Sequence, residues 1–463
     1  MITKFLGRVF SGRLFGPSKP QILPFSAHGI SRDSINSCAL RTIQTLQRRG
    51  FAAFVVGGAV RDLILGRKPK DFDIATDATP EEVRELFRRS RLIGRRFRLV
   101  HVLCGPEMVE VSTFRGMNAT PDEDGDARVS DEHGRILRDN VFGSQEQDAT
   151  RRDFTLNALF YDPSTQEVWD YHGGVADLKK RRLRLIGDPE VRYREDPIRM
   201  LRAVRFSAGR GLEIDAQTRR PIHRLAGLLA HVPPSRLLDE MLKLLLCGNA
   251  AGAVAQLRKE GLHHGVLPLL DVAMGRAAGE RFVMAGLKST DERIRAAKTV
   301  SPGFLFAALL WPEVQAEWKV QESKGMPEVP ALYQAMDHVM KAQAGKLPIP
   351  HRYGADMREI WALQPRFLQR AGKRPYRLLE HPRFRAGYDF LLLSCESGEA
   401  DPALGTWWER FQRAGESERA QMLVADSEPR GRRRRRRRKP RGPGGPGGPA
   451  RDEGGGMRDE GAV

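Results

Sequence analysis

The segment at residues 54–76, FVVGGAVRDLILGRKPKDFDIAT, constrains the fold of this chain more than any other. An apolar run rich in β-branched residues ends at Gly57 and Gly58, a short amphipathic stretch follows, and Asp71 and Asp73 open a second apolar run. This order predicts a buried strand, a helix and a second strand. Residues i and i+2 of a strand face the same side of a sheet, so we expect Asp71 and Asp73 to present their carboxylates together.

These parts have a shared chemical use. Paired carboxylate oxygens suit hard cations such as Mg²⁺, and the N-H groups at a helix N-terminus, here opened by Gly57 and Gly58, suit a triphosphate. An isolated Asp-x-Asp pair is more often a solvated strand end, and Gly-Gly marks many ordinary turns. The order and spacing of the three elements favour a site for phosphoryl transfer with two metal ions at Asp71 and Asp73.

The series resembles the nucleotidyltransferase superfamily of the DNA polymerase β type. Arg61 and Asp62, in GGAVRD, narrow the resemblance to the class that holds bacterial tRNA nucleotidyltransferases and poly(A) polymerases. This resemblance implies an α+β fold, in which a polymerase β-like head with a mixed sheet and helices precedes all-helical neck, body and RNA-binding domains. It implies catalysis by Asp71 and Asp73 with two Mg²⁺ ions, and nucleotide binding by Arg61 together with the two glycines.

A two-metal site commonly has a third carboxylate, and the sequence offers two candidates. Asp153 lies in ATRRDFTLNALFY, which resembles the R-R-D-F-T-x-N motif of the class. The resemblance implies that Asp153 is the third catalytic acid and that Arg152 and Asn157 bind the nucleotide, although Asp153 also suits a helix N-cap. Glu110 is the alternative third acid, because the alternating stretch MVEVSTFR predicts a strand that could pair beside Asp71.

A further motif, RYREDPIRMLRAVRFSA, opens the second part of the chain. Its Glu195, Asp196 and Arg199 match the E-D-x-x-R element with which the class reads the nucleotide base. An aspartate and an arginine one helical turn apart offer an acceptor and donors to the Watson-Crick edge of a base. Arg202 and Arg205 add positive charge to the same helix, as triphosphate contacts or as ordinary solvated charges.

Composition and low-complexity segments divide the rest of the chain. The 463 residues carry 77 Lys and Arg against 58 Asp and Glu, a net charge of +19, which indicates a polyanionic partner. A chain of this length is expected to form several domains. The predicted divisions are a basic disordered leader at 1–30, the head at 31–188, a neck with the base-reading element at 189–250, a helical body at 251–345, an arginine-rich RNA-binding domain at 346–425 and a disordered Arg/Gly/Pro tail at 426–463.

The cysteines and the apolar runs bear on the compartment. The four cysteines are far apart and show neither zinc-site spacing nor a disulfide framework, which favours a reducing cytosolic compartment. The family resemblance implies that this compartment is the bacterial cytoplasm. No apolar run reaches the roughly 18 residues of a membrane span, so we expect none. The basic N-terminus is interpreted as a disordered leader, with a mitochondrial presequence as the alternative.

Two segments favour one product among the members of the class. LIGRRFRLVHV at 92–102 and the arginine-rich stretch at 349–391 resemble bacterial poly(A) polymerases. The resemblance implies template-independent transfer of AMP from ATP to an RNA 3′-hydroxyl, with release of pyrophosphate, in mRNA processing and RNA turnover. A tRNA CCA-adding enzyme, which also uses CTP, is the alternative, and an RNA-binding protein without catalytic activity is a third hypothesis.

The predicted partners are nucleic acids first. In 349–391 arginines alternate with aromatic residues, a mixture that suits single-stranded RNA 3′ ends, although the aromatics could equally form a core. The arginine run at 432–438 is interpreted as an RNA tether, with partner docking or contact with an anionic membrane as alternatives. The RNA-degradation machinery is a further candidate partner.

Overall fold

The computed structural model describes residues 19–94, 98–116, 129–130, 136–138, 141–265, 273–344, 347 and 349–425. The predicted tail at 426–463 and most of the predicted leader lie outside these residues. So does the arginine run at 432–438.

A single mixed sheet of eight strands forms the head, in the order β1-β10-β9-β2-β3-β6-β5-β4. Its strands are β1 (Gln21–Leu23), β2 (Ala53–Val56), β3 (Asp73–Thr76), β4 (Ser90–Ile93), β5 (Leu99–Cys104), β6 (Glu107–Thr113), β9 (Leu159–Asp162) and β10 (Glu167–Asp170). All neighbouring strands are antiparallel except β3 and β6, which are parallel. The parallel pair sets Asp73 directly opposite Glu110. The mixed sheet predicted from the sequence is therefore confirmed.

Helices surround this sheet. Those of the head are α1 (Phe25–His28), α2 (Ser37–Arg48), α3 (Gly58–Ile64), α4 (Pro80–Leu86), α5 (Gln145–Arg151) and α6 (Gly174–Lys179). A two-stranded ribbon, β7 (Val129–Ser130) with β8 (Ile136–Arg138), stands apart from the main sheet. A capping box begins α4, since Thr79 N-H donates to Glu82 Oε2 over 2.7 Å and Glu82 N-H donates to Thr79 Oγ1 over 3.3 Å.

The predicted strand, helix and strand of the opening motif are β2, α3 and β3. Gly57 joins the first two with φ +73° and ψ −119°, a conformation that only glycine adopts readily, and its N-H donates to Leu159 O over 3.1 Å. The second strand begins at Asp73, so Asp71 lies on the approach to β3 and not within it. Placing both aspartates on the strand was therefore wrong by two residues.

The predicted leader is partly folded. Its described residues include β1, which pairs with β10 through Gln21 opposite Asp170, and Ile30, which is buried in the core of the head. A disordered leader extending to residue 30 is therefore a wrong prediction for 21–30. A three-residue strand gives too short a pattern to be recognised in the sequence, and its position depends on pairing with a strand more than 140 residues away.

The structure also corrects the expectation that the cysteines stay apart. Cys38 at the start of α2 and Cys104 at the end of β5 form a disulfide between positions 66 residues apart. Packing of α2 against the sheet brings the two residues together, so the spacing of the cysteines in the sequence could not predict this disulfide. Cys247 and Cys395 are free.

Beyond the head, the described part of the chain is helical apart from β12 (Glu213–Ile214), which pairs in parallel with β11 (Arg182–Leu183) near the end of the head. Its helices are α7 (Pro189–Glu195), α8 (Ile198–Arg210), α9 (Ala216–Arg219), α10 (Ile222–Leu225), α11 (Pro234–Leu245), α12 (Ala250–Lys259), α13 (Ala277–Arg295), α14 (Pro302–Ser323), α15 (Glu328–Ala344), α16 (His351–Phe367), α17 (Arg374–Leu379), α18 (Phe384–Glu396), α19 (Pro402–Arg413) and α20 (Glu416–Met422). The predicted change from a mixed head to a helical remainder is confirmed.

Two hydrophobic clusters organise the helical part. Helix α8 packs its apolar face against α11 and α12 in a core that is continuous with one face of the sheet. A separate cluster around Phe367, Trp408 and Phe411 holds α16 to α19 together. Among the described helices, none is long and apolar enough to cross a membrane.

Candidate active site

A polar cleft of about 650 Å³ lies where the start of β3 meets α8 and α11. It gathers most of the site residues that the sequence predicted. Those that line it are Gly57, Gly58, Arg61, Asp71, Asp73, Arg152, Asp153, Asn157, Asp196 and Arg199. Glu110 and Glu195 are outside the lining, but each is next to a residue within it: Glu110 is opposite Asp73 in the sheet, and Glu195 accepts a bond from Arg199.

Carboxylates crowd one end of this cleft. Burial, then the negative charges of Glu110 and Asp71, raise the pKa of Asp73 to about 6, and Arg152 only partly opposes them. Glu110 lies next to His101, with 3.7 Å between Oε2 and Nε2. The charge of Asp73 is thus poorly compensated by the protein, which makes this end of the cleft a place where a cation would be stabilised.

The donor set fits Mg²⁺ that arrives with a nucleotide. Across the described residues, no three His, Cys, Asp or Glu side chains converge tightly enough to enclose a metal ion alone. Mg²⁺ usually takes one or two protein carboxylates and completes its shell with water and substrate phosphates. Asp71, Asp73 and Glu110 supply hard oxygen ligands of this type, and the first and the third are close enough to Asp73 to raise its pKa.

Asp153, the predicted third acid, has a different environment. Its Oδ2 accepts a bond from Arg202 Nε over 2.6 Å, and its Oδ1 accepts from Asn157 Nδ2 over 2.9 Å and from Phe154 N-H over 2.7 Å. Burial alone would raise the pKa of Asp153, but the charge of Arg202 and these hydrogen bonds hold it well below its ordinary value. The carboxylate is therefore ionised and already compensated by protein donors.

The network of Asp153 continues to α3. Arg61 Nη1 donates to Asn157 Oδ1 over 2.7 Å, and Arg61 Nε donates to Asp62 Oδ1 over 2.9 Å. The other oxygen of Asp62 accepts from Arg210 Nη2 over 3.1 Å. This line of bonds fixes the motif helix of the head to Arg202 in the middle of α8 and to Arg210 at its end, so it holds the cleft walls in a defined relation.

Asp148, which the sequence analysis missed, holds the guanidinium of Arg152 in place. Asp148 is buried, and its Oδ2 accepts from Arg152 Nε over 3.0 Å and Nη2 over 2.8 Å. Burial opposes the charge of Asp148, but Arg152 and Arg151 lower its pKa. Its spacing of four residues from Arg152, on the helix before the motif, was the available signal.

The E-D-x-x-R element is folded around a second arginine. Glu195 Oε2 accepts from Arg192 Nη1 over 2.7 Å and from Arg199 Nη1 over 3.1 Å. Arg192 also donates through Nη2 to the backbone oxygens of Arg151 and Arg152, over 2.6 and 2.7 Å. Arg192 therefore connects the E-D-x-x-R element to the R-R-D motif, a link that the sequence analysis did not predict.

Helix α11 supplies a wall of the cleft that was also missed. Its lining residues are Arg236, Asp239, Glu240 and Lys243. Arg236 pairs both nitrogens with Asp196, over 3.2 and 2.9 Å, and Glu240 accepts from Arg205 Nε over 2.6 Å. The four residues occupy positions i, i+3, i+4 and i+7, a charged face on an otherwise apolar helix that the sequence does display.

The aromatic residues of the arginine-rich segment are largely core residues. Trp361, Phe367 and Phe384 are buried in the described structure. Arg383, by contrast, is exposed at the surface, where it pairs with Asp356 and Glu359. The surface of this segment therefore offers guanidinium groups, while most of its rings are unavailable for stacking.

Comparisons with known proteins agree with this arrangement. Family models match the poly A polymerase head domain at 53–184, a probable RNA and SrmB-binding site of polymerase A at 211–274, and the polymerase A arginine-rich C-terminus at 324–442. Poly(A) polymerase I of Salmonella typhi is 46% identical over 420 residues, which are 89% of this chain and 90% of that protein. The chain belongs to the bacterial poly(A) polymerase family. This membership confirms the predicted activity, polyadenylation of RNA 3′ ends from ATP by a nucleotidyltransferase.

CCA-adding enzymes are more distant relatives of this poly(A) polymerase. The CCA-adding enzyme of Geobacillus thermodenitrificans is 40% identical, but over 224 residues that make up 48% of this chain and 53% of that protein. The crystal structure of the Bacillus stearothermophilus CCA-adding enzyme in complex with CTP superposes with a TM-score of 0.55 at 28% identity, covering 81% of each chain. The predicted nucleotidyltransferase fold is confirmed. CCA-adding enzymes, the alternative, are more distant from this chain than the poly(A) polymerases are.

Proposed function

We propose that the polyadenylation reaction takes place in the polar cleft, with Asp71 and Asp73 as the principal catalytic acids. The observation that carries this proposal is the cluster of Asp73 with Asp71 and Glu110 at the cleft, where Asp73 is partly buried and has a raised pKa because the protein gives it too little cationic compensation. A carboxylate with a raised pKa lowers the stability of the folded protein at neutral pH, and such residues are typical of functional sites.

Asp71 and Asp73 would hold two Mg²⁺ ions. These ions, when bound with ATP, would activate the RNA 3′-hydroxyl and neutralise the departing pyrophosphate. The two aspartates would orient the reacting groups at this end of the cleft. No protein nucleophile is required, because the 3′-hydroxyl itself attacks the α-phosphorus and pyrophosphate leaves.

Glu110 is the third acid that the geometry supports best. It is paired across the sheet with Asp73 and raises the pKa of that residue, whereas the oxygens of Asp153 are already occupied by Arg202, Asn157 and a backbone N-H. We assign Asp153 to positioning, since it holds Arg202 and Asn157 at the cleft. Its direct role as a catalytic acid stays a prediction.

The triphosphate of ATP is proposed to lie along Gly57, Gly58, Arg61, Arg152 and Asn157. A Cβ atom at Gly57 would be 3.3 Å from Arg152 Nη1, so glycine keeps the space between the backbone and this guanidinium open. Guanidinium groups bind phosphate oxygens through paired hydrogen bonds. Asp148 keeps Arg152 directed for this contact.

The base is proposed to meet Asp196 and Arg199, with Glu195 holding the arginine. Adenine presents the N6 amino group as a donor, and a carboxylate such as Asp196 accepts from it. Arg199 is anchored through Nη1 to Glu195 and to Arg192 O over 2.7 Å, which leaves its other nitrogens for an acceptor on the base. Selection of ATP would thus depend on a pair of side chains whose orientation is fixed by their neighbours.

RNA is proposed to contact residues 211–274 and the exposed arginines of the C-terminal segment. The support is the family description of the first region and the guanidinium surface of the second. We also propose a bacterial cytoplasmic location, where ATP and RNA are both present, and the RNA-degradation machinery as a partner.

Substitution at the carboxylates tests the site. We expect Asp73→Asn to abolish extension of an oligoadenylate primer by ATP, while circular dichroism and RNA binding remain as in the wild type. Asp77→Asn is the matched control, because Asp77 is exposed just after β3 and should leave activity unchanged. Retained activity in Asp73→Asn, or equal loss in both variants, would exclude the proposed site.

A further inference from the structure

A second groove, of about 560 Å³, lies on the head away from the polar cleft. We call it the rear groove. It is bounded by α2, the segment after α4 and the turn after β5, and its polar lining residues are Arg41, Thr42, Thr45, Arg88 and Arg89, with Val102 and Gly105 among the others.

The rear groove is on the opposite face of the sheet from Asp73. Asp73 and Ala75 share one face, and Ala75 packs in the cluster around Phe54. Ile74 points to the other face, together with Val102, and both belong to the core that α2 covers. The two cavities are therefore separate sites on the same sheet.

The charge of the rear groove is uncompensated within the described structure. Its lining contains three arginines and no acidic residue. No described carboxylate lies within ion-pair distance of Arg41, Arg88 or Arg89, although Arg41 Nε donates to the backbone oxygen of Ser37 over 3.3 Å. In the polar cleft, by contrast, Arg199 and Arg202 are each paired with a carboxylate.

The groove continues into the edge of the sheet. Strand β4 begins directly after Arg89 and is an outermost strand of the described sheet, so among the described strands one row of its backbone donors and acceptors has no partner. Arg91 is exposed on this strand, and its register opposite His101, which is itself opposite Glu110, puts it on the same face of the sheet as Asp73. A basic stripe therefore runs from the rear groove around the β4 edge to the face that carries Asp73.

The stripe is within reach of an RNA chain that enters the polar cleft. Strands β3, β6, β5 and β4 are consecutive in the sheet, so β4 is three strand spacings, about 14 Å, from β3. An RNA whose 3′ end lies at Asp71 and Asp73 would meet the β4 edge within a few nucleotides. This step relies on the proposed position of the reaction, whereas the charge of the groove does not.

We propose that the rear groove and Arg91 bind the phosphates of single-stranded RNA upstream of the 3′ end, as an RNA contact on the catalytic head. Unpaired guanidinium groups bind phosphate diesters through bidentate hydrogen bonds without reading sequence. Such a contact suits a product that grows by one repeated nucleotide. It would keep the lengthening tail attached between additions and would weaken steeply with salt.

The test compares two double substitutions with the same change of charge. Arg88→Gln/Arg89→Gln removes two cations from the rear groove. Lys179→Gln/Lys180→Gln removes two exposed, adjacent cations at the end of α6, outside the groove. The fold should tolerate the first change, because Arg89 contributes to the sheet through its backbone oxygen, which accepts from Leu103 N-H over 2.9 Å.

Fluorescence anisotropy with a long oligoadenylate, without ATP, gives the dissociation constant at several salt concentrations. Single-stranded binding loses a slope of about 0.7 in log K against log salt for each phosphate contact, so we expect Arg88→Gln/Arg89→Gln to reduce the slope by about 1.4. The lysine variant should keep the wild-type slope, and Arg88→Lys/Arg89→Lys should restore most of it. Slopes equal to wild type in the glutamine variant, or equally reduced in both double variants, would overturn the proposal.

A second readout separates this inference from the proposed active site. Asp73→Asn should bind oligoadenylate with the wild-type slope while failing to extend it, and Arg88→Gln/Arg89→Gln should extend a short primer normally but release long products earlier. Activity in Asp73→Asn would remove the active-site proposal and leave the binding result intact. Unchanged release of long products by the groove variant would count against the RNA path.

Discussion

Asp153 and Arg202 form an ion pair with 2.6 Å between Oδ2 and Nη2, and it joins the loop after α5 to the middle of α8. The same carboxylate accepts from Asn157, which in turn accepts from Arg61 on α3. One ion pair thus connects the motif segments of the head to α8, the second helix of the helical part. The motif order seen in the sequence has a structural reason, since each motif is bonded to the next.

Removing the cation of this pair should destabilise the protein. We expect Arg202→Met to lower the free energy of unfolding by about 3 kcal/mol, because it leaves Asp153 buried with an uncompensated charge. Asp153 has a lowered pKa, so its contribution is present at neutral pH and is lost as the pH falls through the folded-state pKa. Urea denaturation at pH 7 gives the value.

The control for that measurement is Arg413→Met. Arg413 pairs with Glu409 on the surface of α19, where the side chains are 76% and 50% exposed. Exposed pairs contribute about 0 to 1 kcal/mol, so this variant should unfold nearly as the wild type does. A similar loss in both variants would mean that the buried pair has no special role in stability.

The sequence predicted those parts of the site whose residues are close together along the chain. β2, α3 and β3 follow one another within 54–76, and their periodicity and glycines are enough to place Asp73 at the start of a strand. Arg202 is 49 residues from Asp153, and Arg236 is 40 residues from Asp196, so nothing in the local pattern could assign those partners. The choice between Glu110 and Asp153 depends on which strand pairs with β3, which is likewise a tertiary property.

Asp73 should show the opposite effect on stability from Asp153. Its pKa is raised to about 6 in the folded protein, so the ionised side chain opposes folding at neutral pH. Below about pH 4 the side chain is protonated and this unfavourable effect is absent. The folded protein loses the corresponding stability as the pH rises from about 4 to 6. We expect Asp73→Asn to raise the free energy of unfolding by about 1 to 3 kcal/mol at pH 8 without divalent ions. The gain should shrink toward zero at pH 4.

Urea denaturation at pH 4 and pH 8 checks this expectation, with Asp77→Asn as the control at an exposed position on the same segment. A variant that gains stability while losing polyadenylation would identify Asp73 as a residue kept for function. Equal stability of wild type and Asp73→Asn at pH 8 would mean that the negative cluster is fully relieved by water or ions from the solvent.

Arg236 is expected to influence nucleotide choice through Asp196. Both terminal nitrogens of its guanidinium, Nη1 and Nη2, hold the Asp196 carboxylate, so Arg236→Ala would free that carboxylate to rotate away from the base. We expect the ratio of kcat/KM for ATP to that for CTP to fall about tenfold, equivalent to about 1.4 kcal/mol of transition-state discrimination.

Single-nucleotide incorporation on an oligoadenylate primer measures that ratio. Arg224→Ala is a matched control, because Arg224 pairs with Glu190 at an exposed position of the same helical region. A variant at position 236 that loses activity equally with ATP and CTP would indicate a general structural role for Arg236. A change in the ratio would assign it to positioning of the base-reading pair.

The Cys38 and Cys104 disulfide should make the stability of the head depend on redox conditions. It closes a loop between residues 66 positions apart, and disulfides of this kind typically stabilise by about 2 to 4 kcal/mol. We expect Cys104→Ser to lower the free energy of unfolding by that amount without reductant, and dithiothreitol to bring the wild type down to the level of the variant. Cys395→Ser, which removes a free thiol, should keep the wild-type response to dithiothreitol. In reducing compartments most protein cysteines remain reduced thiols. A wild type whose stability does not change with dithiothreitol would mean that Cys38 and Cys104 are a packed pair of thiols in solution.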